Sequence, residues 1–497
     1  MHDATNRDWD HSSAGRRAFL KRASLGALGL ALGPSLAHGE TIAAAASPSD
    51  AVAAATAPTD AARRATSPAV PFLAIQTHAH DYFLEGAEMA CRNMRERGGF
   101  NQMLFAATYV REDKWTNHQP GNDYLVESGL YFEPDLKLYR DSGVTPRRAP
   151  SKGMENYNAL AEVSKAARKV GIGLHAWLSD YDQRLIAPDY LELRVVGPDG
   201  KPADSEWFCP NNPRARAYVV AVYEDVARNY DVDGFFMDRI RYDSAAKVCY
   251  CKWCRQTMAQ RGLDADRLMT NMRRLSGRSE AGDTFLSVGL AFDNAFERED
   301  LVEIAQWMRF RQETVADHVA QVRRLVRGLR PQWRVGLDLI GPIGAPSLGQ
   351  NFSLLARHCD WIKPMLYHHS TARGVRQWVE AAAKARGVAP DQAYAMAKAL
   401  FLLQGARLPD TWAEFSVTGM PANWVASQTQ YVRGLMGGRA EVYPGIQGWD
   451  PATPEQIREM LNAAFDAGAH GITTYCYSNL TWEKIGVYRD VFKQRFG

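Results

Sequence analysis

A closed (β/α)8 TIM barrel is the α/β architecture this sequence predicts, on three observations. Eight short apolar runs recur through residues 71–497, amphipathic helical stretches separate them, and polar side chains gather just past the end of each run. Strands that alternate with helices pair in parallel, and such a sheet closes on itself with the helices outside.

The candidate strands are 72–76, 102–107, 173–178, 232–237, 334–339, 361–366, 442–446 and 471–475. Helical patterns fill 84–97, 154–169, 213–229, 301–327, 372–384, 454–467 and 482–492. Gly171, Gly328 and Gly468 stand where helices should stop on a left-handed cap before the next strand. Three long connections, 110–150, 244–300 and 402–440, are expected to build lids and substrate walls on the catalytic face.

With 46% hydrophobic and 23% charged residues, the chain reads as a globular enzyme rather than a disordered protein. Its 13 Trp and 20 Tyr suit stacking on a flat sugar ring, and core packing accounts for them equally well.

Residues 1–37 read as a processing segment. Gly15-Arg-Arg-Ala-Phe-Leu-Lys21 precedes an apolar run from Ala23 to Ala37, and Ser35-Leu-Ala37 offers a small-x-small cleavage site. The run is too short to serve as a stable span. This pattern resembles a bacterial twin-arginine export signal, with Arg16 and Arg17 as the pair. The resemblance implies export of the folded protein through the twin-arginine translocase to the periplasm or beyond. Removing the segment takes away five basic and three acidic side chains, so the net charge falls from +3 to +1. A near-neutral chain lacks the electrostatic footprint of a nucleic-acid or anionic-membrane binder. Residues 38–70, rich in Ala, Thr, Ser, Pro and Asp, cannot bury enough surface to order themselves and are expected to form a linker.

The strand ends are rich in polar chemistry. They carry His78, His80 and Asp81; His175, Trp177, Asp180 and Asp182; Asp238, Arg239 and Arg241; and Asp338. Further along come Lys363, Tyr367, His368 and His369; Gln447, Trp449 and Asp450; and Tyr475, Tyr477 and Ser478. Carboxylates among Trp, Tyr and His are what glycoside hydrolysis needs, one to protonate the departing oxygen and one to attack carbon or activate water. An Asp after a strand can also simply cap the next helix. Asp238 stands apart, because an apolar strand precedes it and Arg239 and Arg241 follow it.

Cys209-Pro-Asn-Asn-Pro-Arg-Ala-Arg-Ala-Tyr218 and the run from Asp225 to Tyr242, with Asp233-Gly-Phe-Phe-Met-Asp238, resemble the glycoside-hydrolase-like barrel families, of the family 10 type. These are relatives of amylases, α-galactosidases and the clan that holds family 42 β-galactosidases. Asp360–Tyr367, Tyr443–Gln447 and Gly471–Tyr477 are similar to their sixth, seventh and eighth strands. The resemblance implies a carbohydrate substrate and Asp238 as a catalytic carboxylate. An amylase-like layout points to Asp338 as its partner; a family 42-like layout points to strand seven, where Gln447 and then Asp450 replace the expected Glu. Asp338 is the first choice, Asp450 the second, and Asp180 a substrate binder. The expected substrate wall comprises His78, His80, His175, Trp177, Asp180, Arg239, Arg241, Tyr367, His368, Gln447, Trp449 and Tyr475.

Cys249-Tyr-Cys251-Lys-Trp-Cys254 packs three thiols into six residues, and Cys209 lies upstream. Four thiolates so spaced suit a structural zinc, and a disulfide through Cys209 is the alternative. Family 42 β-galactosidases carry a similar cluster after their strand-four acid. No organic cofactor is expected. Two other functional classes remain open: a metal-dependent amidohydrolase built on His78 and His80, and a non-catalytic carbohydrate-binding barrel.

Overall fold

The computed structural model describes residues 71–497 apart from 111–112, 117–122, 198, 204, 244–248 and 277–297. The expected export signal and linker, 1–37 and 38–70, lie outside the described residues. Eight parallel strands form the core: β1 (Phe72–Thr77), β2 (Gln102–Ala106), β3 (Gly173–Ser179), β4 (Gly234–Asp238), β5 (Arg334–Leu339), β6 (Trp361–Leu366), β7 (Gly445–Gln447) and β8 (Gly471–Tyr475). Each pairs with the next, and β8 returns to β1 through Phe72↔Gly471 and Leu73↔Ile472, which closes the ring.

Strand seven departs from the expected 442–446. Pro444 has no N–H to give to a ladder, so the run breaks into Glu441–Val442 and β7, both paired with β6. Around the barrel lie α1 (Ala79–Glu85), α2 (Ala87–Gly98), α3 (Ala159–Val170), α4 (Pro213–Asn229), α5 (Lys252–Gln260), α6 (Ala265–Ser276) and α7 (Arg298–Leu329). They continue with α8 (His368–Arg386), α9 (Pro390–Leu403), α10 (Trp412–Thr418), α11 (Ala422–Met436), α12 (Pro454–Asp466) and α13 (Trp482–Phe496). Gly171 caps α3 with φ 73°, and Gly468 follows α12 with φ 83°. Gly328 is no cap: α7 runs through it to Leu329. No described helix is long and apolar enough to cross a membrane.

The long connections are more regular than expected. The first contains an antiparallel pair, Asp113–Thr116 with Asp123–Val126. The second holds α5 and α6, and the third holds α10 and α11. Local chemistry starts these short helices: the Cys251 side chain accepts from Cys254 N at the head of α5, and the Thr411 hydroxyl accepts from Glu414 N at the head of α10.

Inside the ring, large side chains on one strand fill space left by glycine on its neighbour. Phe72 stacks on Tyr443 with centroids 4.3 Å apart, and Trp361 stacks on Phe236 at 5.3 Å. A Cβ on Gly336 would overlap the Trp361 indole, and one on Gly445 would come within 2.6 Å of Lys363 Cε. The interior is therefore a filled core in layers rather than a pore. We expect Gly336→Ala to cost about 1–3 kcal/mol through overpacking. Gly434→Ala on α11, where a Cβ would meet nothing within 4 Å, should stabilise by about 0.5–1 kcal/mol. Urea-denaturation midpoints of the two variants check both signs.

Candidate active site

Successive side chains on a strand alternate faces, so the geometry that turns Phe236 into the barrel also turns in Asp238, the last residue of β4. Its Oδ2 accepts the Trp177 indole N–H at 3.0 Å and its Oδ1 accepts the Arg239 backbone N–H at 2.6 Å. Arg239 itself takes a left-handed conformation, φ 54°. Its guanidinium reaches Asp182 at 2.9 Å, with the Asp182 side chain 1% exposed. Such a buried pair holds the turn, because breaking it would strand a charge at a cost of about 3–5 kcal/mol.

β5 runs beside β4 with Met237 opposite Leu337, which brings Asp338 alongside Asp238. Lys363 on β6 is the register partner of Asp338 on its other side. Asp338 is buried; its Oδ2 accepts from Lys363 Nζ at 3.1 Å, while Oδ1 has no hydrogen-bond partner among the described residues. Burial drives its carboxyl pKa from 3.8 up to about 7; Lys363 and Arg239 resist that rise, and the charge on Asp238 adds to it.

Aromatic rings wall the carboxylates in a chain of contacts, edge-to-face from Tyr367 to Trp177 and tilted at His78. Tyr367 meets Trp449 at 4.8 Å, Trp449 meets Tyr475 at 5.6 Å, Tyr475 meets Trp177 at 6.1 Å and Trp177 meets His78 at 5.7 Å. Tyr109 joins through a 3.1 Å hydroxyl contact with Tyr475. His78 is buried at the head of α1, where its backbone N–H donates to Asp81 Oδ2 at 2.8 Å and the Ser478 hydroxyl donates to Asp81 Oδ1. Burial, helped by His80, lowers the His78 pKa to about 3, and burial lowers that of His80 to about 4. His80 turns to Tyr131, 6.0 Å away. His368 is likewise buried, with its pKa lowered to about 3 by burial and by His369. Gln447 ties β7 to the first turn of α8, accepting from Ser370 N at 3.2 Å.

Four expected site residues lie elsewhere. Asp450 stands three residues past the end of β7, its side chain 92% exposed and paired with Lys484 Nζ at 2.5 Å. His175 points inward but near the start of β3, in the bottom layer, where its ring meets Phe72 and Trp361, each at 5.7 Å. Asp180 has the opposite parity to Trp177 and faces the helices: its Oδ1 accepts from Tyr223 at 2.5 Å and its Oδ2 contacts His318 Nε2 at 2.6 Å. Arg241 folds back to donate to Tyr242 O at 3.2 Å and lies 4.8 Å over the Trp207 ring. Burial and Arg239 lower its pKa to about 10. Conversely, Gln76 and Lys363 belong to the centre of the site and were absent from the expected set. Their signal was a polar residue on an inward position of an otherwise apolar strand.

The four cysteines come together beyond β4. Their sulfurs lie within 4.8 Å of one another, with Cys209 3.6 Å from Cys251 and 3.5 Å from Cys254. No disulfide joins any of the seven cysteines, so the disulfide alternative is corrected. A tetrahedral zinc with Zn–S bonds near 2.3 Å sets its sulfurs about 3.8 Å apart, which this cluster fits. The N–H groups of Val196, Cys254 and the Asn211 side chain each donate to a sulfur at 3.4 Å, as ligating thiolates require.

No protein-family model matches the chain. A segment of 213 residues, 43% of the chain, is 24% identical to an S-layer-related protein of Niallia circulans and spans 12% of that protein's length. Among solved structures, the PgaB (BpsB) glycoside hydrolase domain of Bordetella bronchiseptica matches with TM-score 0.50 and 15% identity, covering 86% of this chain and 98% of that one. The chain has a TIM-barrel fold. A β-galactosidase from a psychrophilic Marinomonas matches with TM-score 0.50 and 10% identity, covering 85% of this chain and 59% of its own. A family 42 β-galactosidase from G. stearothermophilus does so with TM-score 0.50 and 11% identity, covering 86% and 57%. At such identities the likeness is one of fold.

Asp338 also links folding to pH. Its folded pKa lies above the ordinary value of 3.8, so its contribution to stability is complete below that value and is lost as pH rises through about 7. Urea titrations from pH 4 to 8 should show a loss on the order of 4 kcal/mol from this group. Asp338→Asn, which keeps an acceptor for Lys363 without titrating, should lack that part of the slope.

Proposed function

We propose that this protein is an exported glycoside hydrolase that cleaves a glycosidic bond of a poly- or oligosaccharide with two carboxyl groups. The observation that carries the reading is the pairing of Asp238 and Asp338 on neighbouring strand ends in contrasting environments. Asp238 accepts two N–H bonds, as a carboxylate does, whereas Asp338 is buried with a carboxyl pKa of about 7. A carboxyl group held protonated by burial beside a second one that accepts N–H bonds can take the two roles of glycoside cleavage. Asp338 gives its proton to the departing glycosidic oxygen as the C–O bond breaks. Asp238 supplies the electron pair, directly to the anomeric carbon or by taking a proton from the attacking water. The ring of Tyr367, Trp449, Tyr475 and Trp177 supports a sugar face beside them.

The glycosidase fold of the structural neighbours supports the same reading. The twin-arginine pattern supports export to the periplasm or the medium through the translocase, after folding. Cys209, Cys249, Cys251 and Cys254 would hold a structural zinc, which stabilises the connection after β4 and takes no part in bond cleavage. Among the described residues the metal-compatible grouping is these four cysteines, and His78 and His80 do not belong to one, so the amidohydrolase reading has no support from geometry.

Asp238→Asn should reduce turnover of responsive aryl glycosides by about 10²–10⁴-fold with sugar binding retained. Unchanged turnover would sink the hydrolase reading, and saturable sugar binding with no product from any glycoside would favour the binding barrel. Elemental analysis of the purified protein should find one zinc per chain, lost in Cys209→Ser. A metal-free protein of equal thermal midpoint would contradict the zinc assignment.

A further inference from the structure

Lys363 is fully buried, on the third position of β6, and its stem runs inward past Gly445 of β7. Nζ then donates to Gln76 Oε1 of β1 at 2.6 Å, to the Tyr367 hydroxyl at 2.6 Å and to Asp338 Oδ2 at 3.1 Å. Three partners match the three N–H bonds of an ammonium and leave none over. β1 and β6 are not neighbours in the ring, so the side chain bridges the barrel interior. Phe236 lies beneath it, with Nζ 5.5 Å from the ring centroid. A buried cation with every donor taken and a glycine opposite its stem is a built feature of the interior rather than a chance polar residue.

We propose that Lys363 is the positioning residue for the proton of Asp338: by donating to Oδ2 it reserves Oδ1 as the oxygen that carries and releases the proton. The catalytic meaning of this role rests on the glycoside hydrolase reading above; the electrostatic role does not. An oxygen that accepts from an ammonium is the poorer place for a proton, and Oδ1 is the buried oxygen without a partner among the described residues. The charged and titratable groups facing Asp338 are Lys363 on β6, Tyr367 just beyond it, and Asp238 and Arg239 at the end of β4. Burial and Asp238 favour the protonated acid; Lys363 is the largest influence opposing them and Arg239 the smaller one. Without Lys363 the carboxyl would hold its proton too tightly to act as an acid near neutral pH. Gln76 and Tyr367 keep the ammonium from swinging away.

The test reads the protonated-carboxyl stretch by infrared difference spectroscopy across a pH titration, with Asp338→Asn assigning the band. Lys363→Met should raise the Asp338 midpoint by about one pH unit or more. In turnover, the alkaline limb of kcat/KM should move the same way, with kcat reduced and KM little changed. Should Lys363→Met fail to fold, Gln76→Glu draws the ammonium towards a new carboxylate and should also raise the midpoint. An unchanged midpoint in the folded variant overturns the proposal. The titration needs no substrate, so a shifted midpoint in a protein that cleaves no glycoside would leave the role of Lys363 standing and overturn the hydrolase reading alone.

Discussion

The register of β4, β5 and β6 is the constraint on which the site depends. Lys363 sits opposite Asp338, and the step after Met237↔Leu337 sets Asp238 beside that same residue. A slip of one residue on any of these strands would turn its functional group to the helix side. The interior packing guards against such a slip, because Trp361 needs the space at Gly336 and the Lys363 stem needs the space at Gly445. Packing and chemistry therefore share one set of positions. The aromatic layer that fills the lower barrel also fixes the height at which the polar groups emerge.

Two carboxyl groups on adjacent strand ends would behave alike in water, and here their surroundings divide them. Asp238, at the end of β4, is buried too but accepts N–H bonds from Trp177 and Arg239. Asp338 lies under the influence of burial, only partly offset by one ammonium. The contrast comes from backbone as much as from side chains, since Arg239 gives its backbone N–H to Asp238 and its guanidinium to Asp182.

Much of this arrangement was legible in the sequence, and the failures have physical causes. The bounds expected for β5, β6 and β8 match the structure, because each is an uninterrupted run between a helix stop and a polar strand end. Strand seven broke where Pro444 removed a donor. Asp180 and His175 were misplaced because closeness to a strand end was read without its parity or depth: one points to the helices and the other lies in the bottom layer. Asp450 was misplaced because it stands three residues past Gln447, the last residue of β7, where the chain has already turned out to solvent and Lys484. Lys363 was seen at a strand end and left out of the expected site. A lysine on an inward position is expensive unless paired, and its partner, Gln76, lies across the barrel where no local pattern connects them. The cysteine cluster was readable because three of its members are nearly adjacent, while only the fold brings Cys209 to them.

A neutron structure of the deuterated protein at pH 6 tests the central claim most directly, because it locates the proton rather than inferring it. The expected result is a deuteron on Asp338 Oδ1, three on Lys363 Nζ directed at Gln76, Tyr367 and Asp338 Oδ2, and none on Asp238. A deuteron on Asp238 with Asp338 bare would reverse the two roles and contradict the account.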